Sequence, residues 1–409
     1  MAEGQTGLIA RRAESTIGTA IDAGGKIVIV YGPRQVGKTT LIRRLLAQRP
    51  GLKTLSLAGD DPADRRDLGG RDGSALSRLV AGYDCLFIDE AQRIGDIGLA
   101  LKLLHDSMSG LRIIATGSSS FDLADKTREA LPGRARTFTL YPIAVSELAA
   151  GLDGRGLSAS LDDYLSFGLY PEVRTSPGRE EKRRVLKEIT ETYLYKDVIE
   201  FGGIRHADRI HDLLRLLSFQ VGSEVSIAEL GSSLGLGRDT VDRYIDVLEK
   251  AFVVFRLRGY SRNLRKEVSK MDKIYFYDVG VRNMVIGNLS EPGLRDDMGR
   301  LWENFLVAER RKAMEYGGSF ASSWFWRLRT GAELDYVEEE DGRMRGYEFK
   351  YGDKVPKAPS SWGETYPASS FTVVNRGNWL DFVLGRAQEN LREVALGIGR
   401  GPGCHDHLL

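Results

Sequence analysis

Apolar and polar positions alternate along this chain in two distinct rhythms. Leu8 to Ala23 carries helical spacing, and Lys26-Ile-Val-Ile-Val-Tyr31 follows as a compact β-branched run of the kind buried inside parallel sheets. Similar runs recur at Thr54–Ala58, Cys85–Asp89, Arg112–Thr116 and Arg136–Leu140, with helical spacing between most of them. Strands alternating with helices predict a doubly wound α/β domain over residues 1–145. From Ile143 to Tyr195 the rhythm is helical, broken at Leu169-Tyr-Pro171 and Ser176-Pro-Gly178, which predicts a helical lid or linker over 146–205.

Beyond the lid the order changes again. Helices are expected at Arg209–Val221, Ile227–Leu234 and Thr240–Ala251, with a Gly-containing turn before the third and a strand at Phe252–Leu257 after it. Three helices closed by a β-rich segment describe a winged helix-turn-helix over 206–262. A second α/β domain is expected over 263–396. Its strands lie near Ile274–Tyr277, Ser323–Arg327, Glu333–Val337, Gly346–Lys350 and Ser370–Asn375, and its helices at Met298–Tyr316 and Trp379–Val394. Residues 397–409 read as a frayed tail, where Cys404, His405 and His407 would meet a metal only by accident.

Composition narrows the class. The 409 residues suffice for several cores, and 58 Lys+Arg against 57 Asp+Glu leave a formal charge of +1, so a charged partner must be met by a local patch. Two cysteines exclude a disulfide framework and a four-cysteine zinc site. No stretch approaches the ~18 apolar residues of a membrane span, and the N-terminus lacks the apolar core of a secretion signal, so a soluble protein of the cytoplasm is expected, with no membrane partner.

The strongest chemical signal is Gly32-Pro33-Arg34-Gln35-Val36-Gly37-Lys38-Thr39, followed by Thr40, set between a buried strand and a helix. It fits G-x-x-x-x-G-K-[ST]. Glycines let successive backbone N–H groups curl round phosphates, Lys38 is placed to reach the β and γ phosphates of ATP, and Thr39 to ligate Mg²⁺. Asp89 and Glu90 end a second apolar strand, where a Mg²⁺-associated aspartate and a water-activating glutamate are needed; the adjacent glutamate favours a hydrolase over a kinase. A strand running into Gly117-Ser118-Ser119-Ser120 makes Ser118 a γ-phosphate sensor or, alternatively, a residue of a plain turn.

These residues resemble AAA-type P-loop ATPases. The order GPRQVGKT, LFIDEAQ, ATGSSS, LPGRARTFTLYPIAVSEL, FGLYPEV, YLYKDVIEFG, TVDRYIDVLEKAFVV and KIYFYDVGVRN is similar to that of AAA-like bacterial and archaeal ATPases with a C-terminal DUF4143 region, and covers nearly the whole chain. The resemblance implies that Arg134 or Arg136 acts in trans as an arginine finger of an oligomer, which could be a hexameric ring; a surface salt bridge is the competing use.

Two further groups bear on partners. Helix Arg238–Lys250, with Arg238 and Arg243, carries three basic and four acidic residues, a poor phosphate-binding face; Arg256, Arg258, Arg262, Arg265 and Lys266, beside Tyr260, restore basic character. DNA contact through this region is the expectation, against a merely solvated wing. In the last domain, Asp335, Glu348 and Lys350 can share one sheet face, with Glu303 from the preceding helix. Two carboxylates and a lysine suit metal-dependent phosphodiester cleavage with a second Mg²⁺ or Mn²⁺, and the pattern resembles the PD-(D/E)xK nuclease core; a charged hairpin gives the same string. The leading expectation is an ATPase coupling Mg·ATP turnover to translocation on, or remodelling of, duplex or branched DNA, as in branch migration or repair. A nucleotide-operated signalling or defence switch with protein partners is the alternative.

Overall fold

The computed structural model describes residues 9–70, 72–118, 131–194, 198, 207–261, 271–328 and 331–385. Its N-terminal third is built on five parallel strands, β1 (Ile27–Tyr31), β2 (Thr54–Ala58), β3 (Cys85–Asp89), β4 (Arg112–Gly117) and β5 (Ala135–Thr139), in the order β2-β3-β4-β1-β5. Successive residues of β1 serve opposite faces: Val28 and Val30 pack with the helices Ala13–Ala23 and Lys38–Ala47, while Ile27 and Ile29 pack with the helix Ile97–Ser107. A strand buried on both faces must be apolar throughout, which is why Ile27–Tyr31 reads as an unbroken run. Because all five strands run the same way, the segments after β1, β3 and β4 gather along one edge, where ligands of open α/β sheets collect.

In the segment expected as a helical lid or linker, the described residues form short helices, not long ones. Val145–Leu148, Gly154–Ala159, Leu161–Phe167, Pro171–Thr175 and Gly178–Glu188 follow one another, with breaks at the two proline-bearing sites. Gly168 carries a left-handed φ of 72°, and a Cβ there would lie 2.0 Å from the carboxylate of Asp278. That carboxylate accepts hydrogen bonds from the backbone N–H of Leu169 and Val281, at 2.7 and 3.1 Å. The FGLYPEV and YFYDVGVRN stretches thus interlock as structural elements.

Helices Ala207–Phe219, Ile227–Leu234 and Arg238–Lys250 stand beside a three-stranded antiparallel sheet, β6 (Glu224–Val225), β7 (Val254–Leu257) and β8 (Asp272–Phe276), ordered β6-β8-β7. The boundary expected at 262/263 therefore cuts a hairpin: β8 belongs to the sheet of the three-helix unit, because its Phe276 to Lys273 pair with Val254 to Leu257. The C-terminal unit holds β9 (Ser322–Arg327), β10 (Glu333–Glu340), β11 (Arg343–Phe349) and β12 (Ser370–Val374), ordered β12-β11-β10-β9, with the helix Met298–Tyr316 across it. One apolar cluster runs from β1 through the lid and three-helix unit to this helix.

Candidate functional site

The phosphate-loop segment leaves β1 at Gly32, whose φ of 151° and position 2.0 Å from the Leu140 carbonyl, measured at a would-be Cβ, exclude any side chain. Gly37 (φ 89°) then turns the chain into the helix Lys38–Ala47. Lys38 is buried, and its ammonium donates to the carbonyls of Gly32 and Pro33 at 2.9 and 2.8 Å. A cation folded on two neutral carbonyls gains little from them, so the β and γ oxygens of a triphosphate are its stronger partners. Arg34, Gln35, Val36 and Thr40 complete the loop; Gln35, Val36, Gly37 and Thr40 also wall a cavity of about 350 Å³ with the apolar Ile9, Ile143 and Pro171 and the charged Arg11, Glu14, Arg44 and Glu172, a volume within the range of small-molecule sites.

Thr39 Oγ lies 3.0 and 2.9 Å from the two oxygens of Asp89, which also accepts the Thr116 hydroxyl at 2.5 Å. A hydroxyl and a carboxylate in contact beside a phosphate loop fit Mg²⁺, a hard cation that takes one or two protein oxygens and fills its shell with phosphate and water. Glu90 follows in the left-handed region (φ 47°, ψ 44°), a conformation that carries its side chain off the strand line. Gln92 amide nitrogen holds it, donating to Glu90 Oε2 at 2.6 Å and to Ser118 Oγ at 2.9 Å. Ser118 is buried. Glu90 and Ser118 are therefore brought together through a residue with no sequence signal of its own beyond its place in LFIDEAQ. Thr116 was equally silent, one hydroxyl in a strand.

The backbone between β5 and the lid is gripped from two sides. Arg11 donates to the Val36 carbonyl of the phosphate loop at 2.6 Å, to the Tyr141 carbonyl at 2.6 Å, and to Glu147 at 3.0 Å. Opposite, the helix Met298–Tyr316 offers side chains three and four residues apart: Glu309 accepts from Val145 N (2.7 Å), Lys312 donates to Ile143 O (3.1 Å), and Tyr316 OH accepts from Tyr141 N (3.0 Å). Burial pushes the Glu309 carboxyl up, and the Lys312 ammonium, in contact at 2.6 Å, pulls it back.

In the C-terminal unit Glu303, Asp335, Glu348 and Lys350 do converge. Glu348 Oε1 meets Lys350 Nζ at 2.5 Å, and Asp335 Oδ2 accepts from Phe349 N at 2.7 Å. Burial raises the Asp335 carboxyl, and burial with the Asp335 charge raises Glu348. An unforeseen cation enters from β8: Lys273 Nζ lies 3.1 Å from Glu303 Oε1 and 4.0 Å from Asp335 Oδ1. Burial works against that ammonium, but the Glu303 and Asp335 charges keep it protonated. Among the described residues no group of three or more His, Cys, Asp and Glu side chains is arranged to hold a metal.

Family models match three stretches of the chain. An AAA-domain model matches residues 24–149, and two domains of unknown function, DUF8612 and DUF4143, match 158–291 and 298–387. Uncharacterized proteins of Mycobacterium tuberculosis and Mycobacterium bovis are each 30% identical over 327 residues, 79% of this chain and 70% of theirs. The chain belongs to the AAA–DUF4143 family. An uncharacterized protein of Methanocaldococcus jannaschii is 23% identical over 338 residues, 76% of this chain and 72% of its own. The Walker-type ATPase of Pyrococcus abyssi superposes with a TM-score of 0.45 at 17% identity, over 68% of this chain and 96% of that one.

In this AAA–DUF4143 protein the remaining expected residues fall apart from the phosphate loop. Arg134 and Arg136 sit at the start of β5, at the opposite edge of the sheet; Arg134 pairs with Asp106 of its own chain at 2.7 Å, and Arg136 is exposed beside Gly25 and Lys26. Arg238 and Arg243 are exposed on the third helix of the three-helix unit. Arg256, counted as basic surface, is instead consumed: Asp242, Asp246, Glu249 and Asp272 surround it. Arg262, Arg265 and Lys266, like Ser119, Ser120 and the tail with Cys404, His405 and His407, lie outside the described residues. Among the described residues no helix is long and apolar enough to cross a membrane.

Proposed function

We propose that this protein hydrolyses Mg·ATP and spends the turnover on DNA, translocating on or remodelling duplex or branched substrates. The contact of Thr39 with Asp89 beside Lys38, with Glu90 one residue on, is the observation that carries the hydrolytic part. Lys38 steadies the β and γ oxygens, and Thr39 and Asp89 hold the Mg²⁺ that offsets charge on them. Glu90 takes a proton from the water attacking the γ-phosphorus; the P–O bond to the β-phosphate breaks, ADP departs, and the proton leaves Glu90 with phosphate or solvent. Ser118, held to Glu90 through Gln92, is placed to register the γ-phosphate.

Arg134 and Arg136, remote from their own phosphate loop, are reserved in this reading for the site of a neighbouring subunit in an oligomer, a ring of six included. An arginine supplied in trans is worth about 10³-fold or more in turnover. The double substitution Arg134→Ala, Arg136→Ala should therefore depress ATPase strongly without lowering nucleotide affinity, and unchanged turnover would remove the composite site.

DNA contact is assigned to the three-helix unit, read as a winged helix, through Arg238, Arg243 and the run Arg262, Arg265 and Lys266. A second reading has one observation in its favour: the third helix carries Asp239, Asp242 and Asp246 on its exposed side, the latter two paired with Arg256, so that its own fold neutralises the basic charge a phosphate backbone would need. ATPase rate measured with single-stranded, duplex and four-way-junction DNA, with Lys38→Ala as blank, separates the two. Stimulation by one DNA form supports the DNA machine; a flat response with Lys38-dependent turnover turns the assignment to a nucleotide-operated switch acting on protein.

A further inference from the structure

The sequence resemblance to the PD-(D/E)xK core implies a divalent metal among Glu303, Asp335 and Glu348, and the residues present do not fit one. Glu303 Oε1 already takes two donors, Lys273 Nζ at 3.1 Å and the Tyr275 hydroxyl at 2.6 Å. Its other oxygen is pressed against Gly222, where a Cβ would lie 2.8 Å away. Asp335 gives one oxygen to Phe349 N at 2.7 Å and turns the other toward Lys273 at 4.0 Å. Mg²⁺ or Mn²⁺ would need such oxygens at about 2.0–2.2 Å, and would compete for their charge with an ammonium already 3.1 Å from Glu303 Oε1. Lys273 has nowhere to go: its side chain is 7% exposed, and the Phe325 ring lies 5.5 Å from its nitrogen.

The origin of these groups matters as much as their charge. Lys273 and Tyr275 are alternate residues of β8, so both side chains leave the same face of a strand hydrogen-bonded into the sheet of the three-helix unit. Gly222 precedes β6 of that unit, whereas Glu303 and Asp335 belong to the long helix and β10 of the C-terminal unit.

We propose that this nuclease-like cluster is a metal-free ionic lock, in which the Lys273 ammonium stands where a divalent ion would, fastening the sheet of the three-helix unit to the C-terminal unit and leaving no centre able to cleave a phosphodiester. The inference goes beyond ATP hydrolysis and is independent of which partner the protein acts on.

Two measurements on the full chain test it. Mn²⁺ titration without nucleotide, followed by electron paramagnetic resonance, should show no stoichiometric site on the wild-type protein; a bound Mn²⁺ that Asp335→Asn removes, or Mn²⁺-dependent DNA cuts that Asp335→Asn abolishes, would overturn the lock. Thermal unfolding supplies the second. Breaking a buried pair from one side leaves an uncompensated carboxylate, so Lys273→Met should lower the midpoint by about 5–15 °C. Glu303→Gln added to it removes that charge and should restore most of the loss, which also keeps the test usable if the single variant does not fold. A Lys273→Met protein as stable as wild type, or a double variant no more stable than the single, would sink the proposal.

Discussion

Gln92 offers the sharpest test of how the hydrolytic residues are arranged. Its amide nitrogen bridges Glu90 and Ser118, at 2.6 and 2.9 Å, and its side chain is buried. Glu90 sits at φ 47°, a backbone state that costs about 1–3 kcal/mol and persists only where neighbours enforce it. Gly59 makes room for it, since a Cβ there would meet the Glu90 carbonyl at 2.2 Å; Gln92 holds it from the side-chain end. Gln92→Met keeps the volume and removes the donor. A hydrogen bond to a charged carboxylate is worth about 1.5–3 kcal/mol, and at about 1.4 kcal/mol per tenfold in rate the loss of Glu90 positioning should lower kcat by roughly 10–150-fold. ATP affinity should hold, because the two hydrogen bonds of the Gln92 amide go to Glu90 and Ser118 and not to the phosphate loop. Gln92→Glu should do worse, placing a like charge against Glu90. The assay is steady-state ATPase paired with equilibrium binding of a fluorescent ATP analogue. If Gln92→Met turns over within about twofold of wild type while Glu90→Gln is inactive, Gln92 does not position the base and the relay from Ser118 to Glu90 is wrong.

Two further outcomes follow from the same geometry. Tyr316→Phe strips the Tyr141 N–H of its acceptor at a buried junction, so unfolding by urea should show a loss of about 1–3 kcal/mol, and Glu309→Gln, which leaves Lys312 without its counter-charge, a larger one. Asp297 is pushed up by burial, but hydrogen bonds from Arg295 and Arg282 outweigh this and hold its carboxyl at about 2, against 3.8 unperturbed. Its folded-state pKa is depressed, so its stabilisation of about 2 kcal/mol is present above pH ~4 and is lost as pH falls toward 2; Asp297→Asn should flatten that part of the urea-midpoint profile.

Strands and helices were legible wherever one local period governed them. The β-branched run at Ile27–Tyr31 and the helical spacing at Met298–Tyr316 fixed their elements to within a residue or so, because burial on two faces or on one stripe leaves its mark on consecutive positions. The unit boundary was not legible. Ile274-Tyr-Phe-Tyr277 reads as a strand, but nothing local says that it pairs with the preceding Val254–Leu257 instead of with the strands that follow it. Register is a property of two segments, and a periodicity belongs to one.

The same limit explains what the site disclosed and what it withheld. Lys38 and Thr39 were readable because a phosphate loop demands fixed residue types at fixed spacing within one stretch of chain, and Asp89 because it closes an apolar strand in a local pattern of its own. Arg11, Thr116, Gln92 and Lys273 reach partners far along the chain, up to 136 positions away for Arg11, and each belongs to a type that usually signifies nothing. Their meaning comes from burial: an arginine on the Val36 carbonyl or a lysine between two carboxylates is costly to place, and its partners must repay desolvation. Arg256 shows the converse error. Counted in sequence as a free positive charge, it is surrounded in space by four carboxylates, so a basic residue in a motif offers an external phosphate only the charge that its own fold leaves unspent.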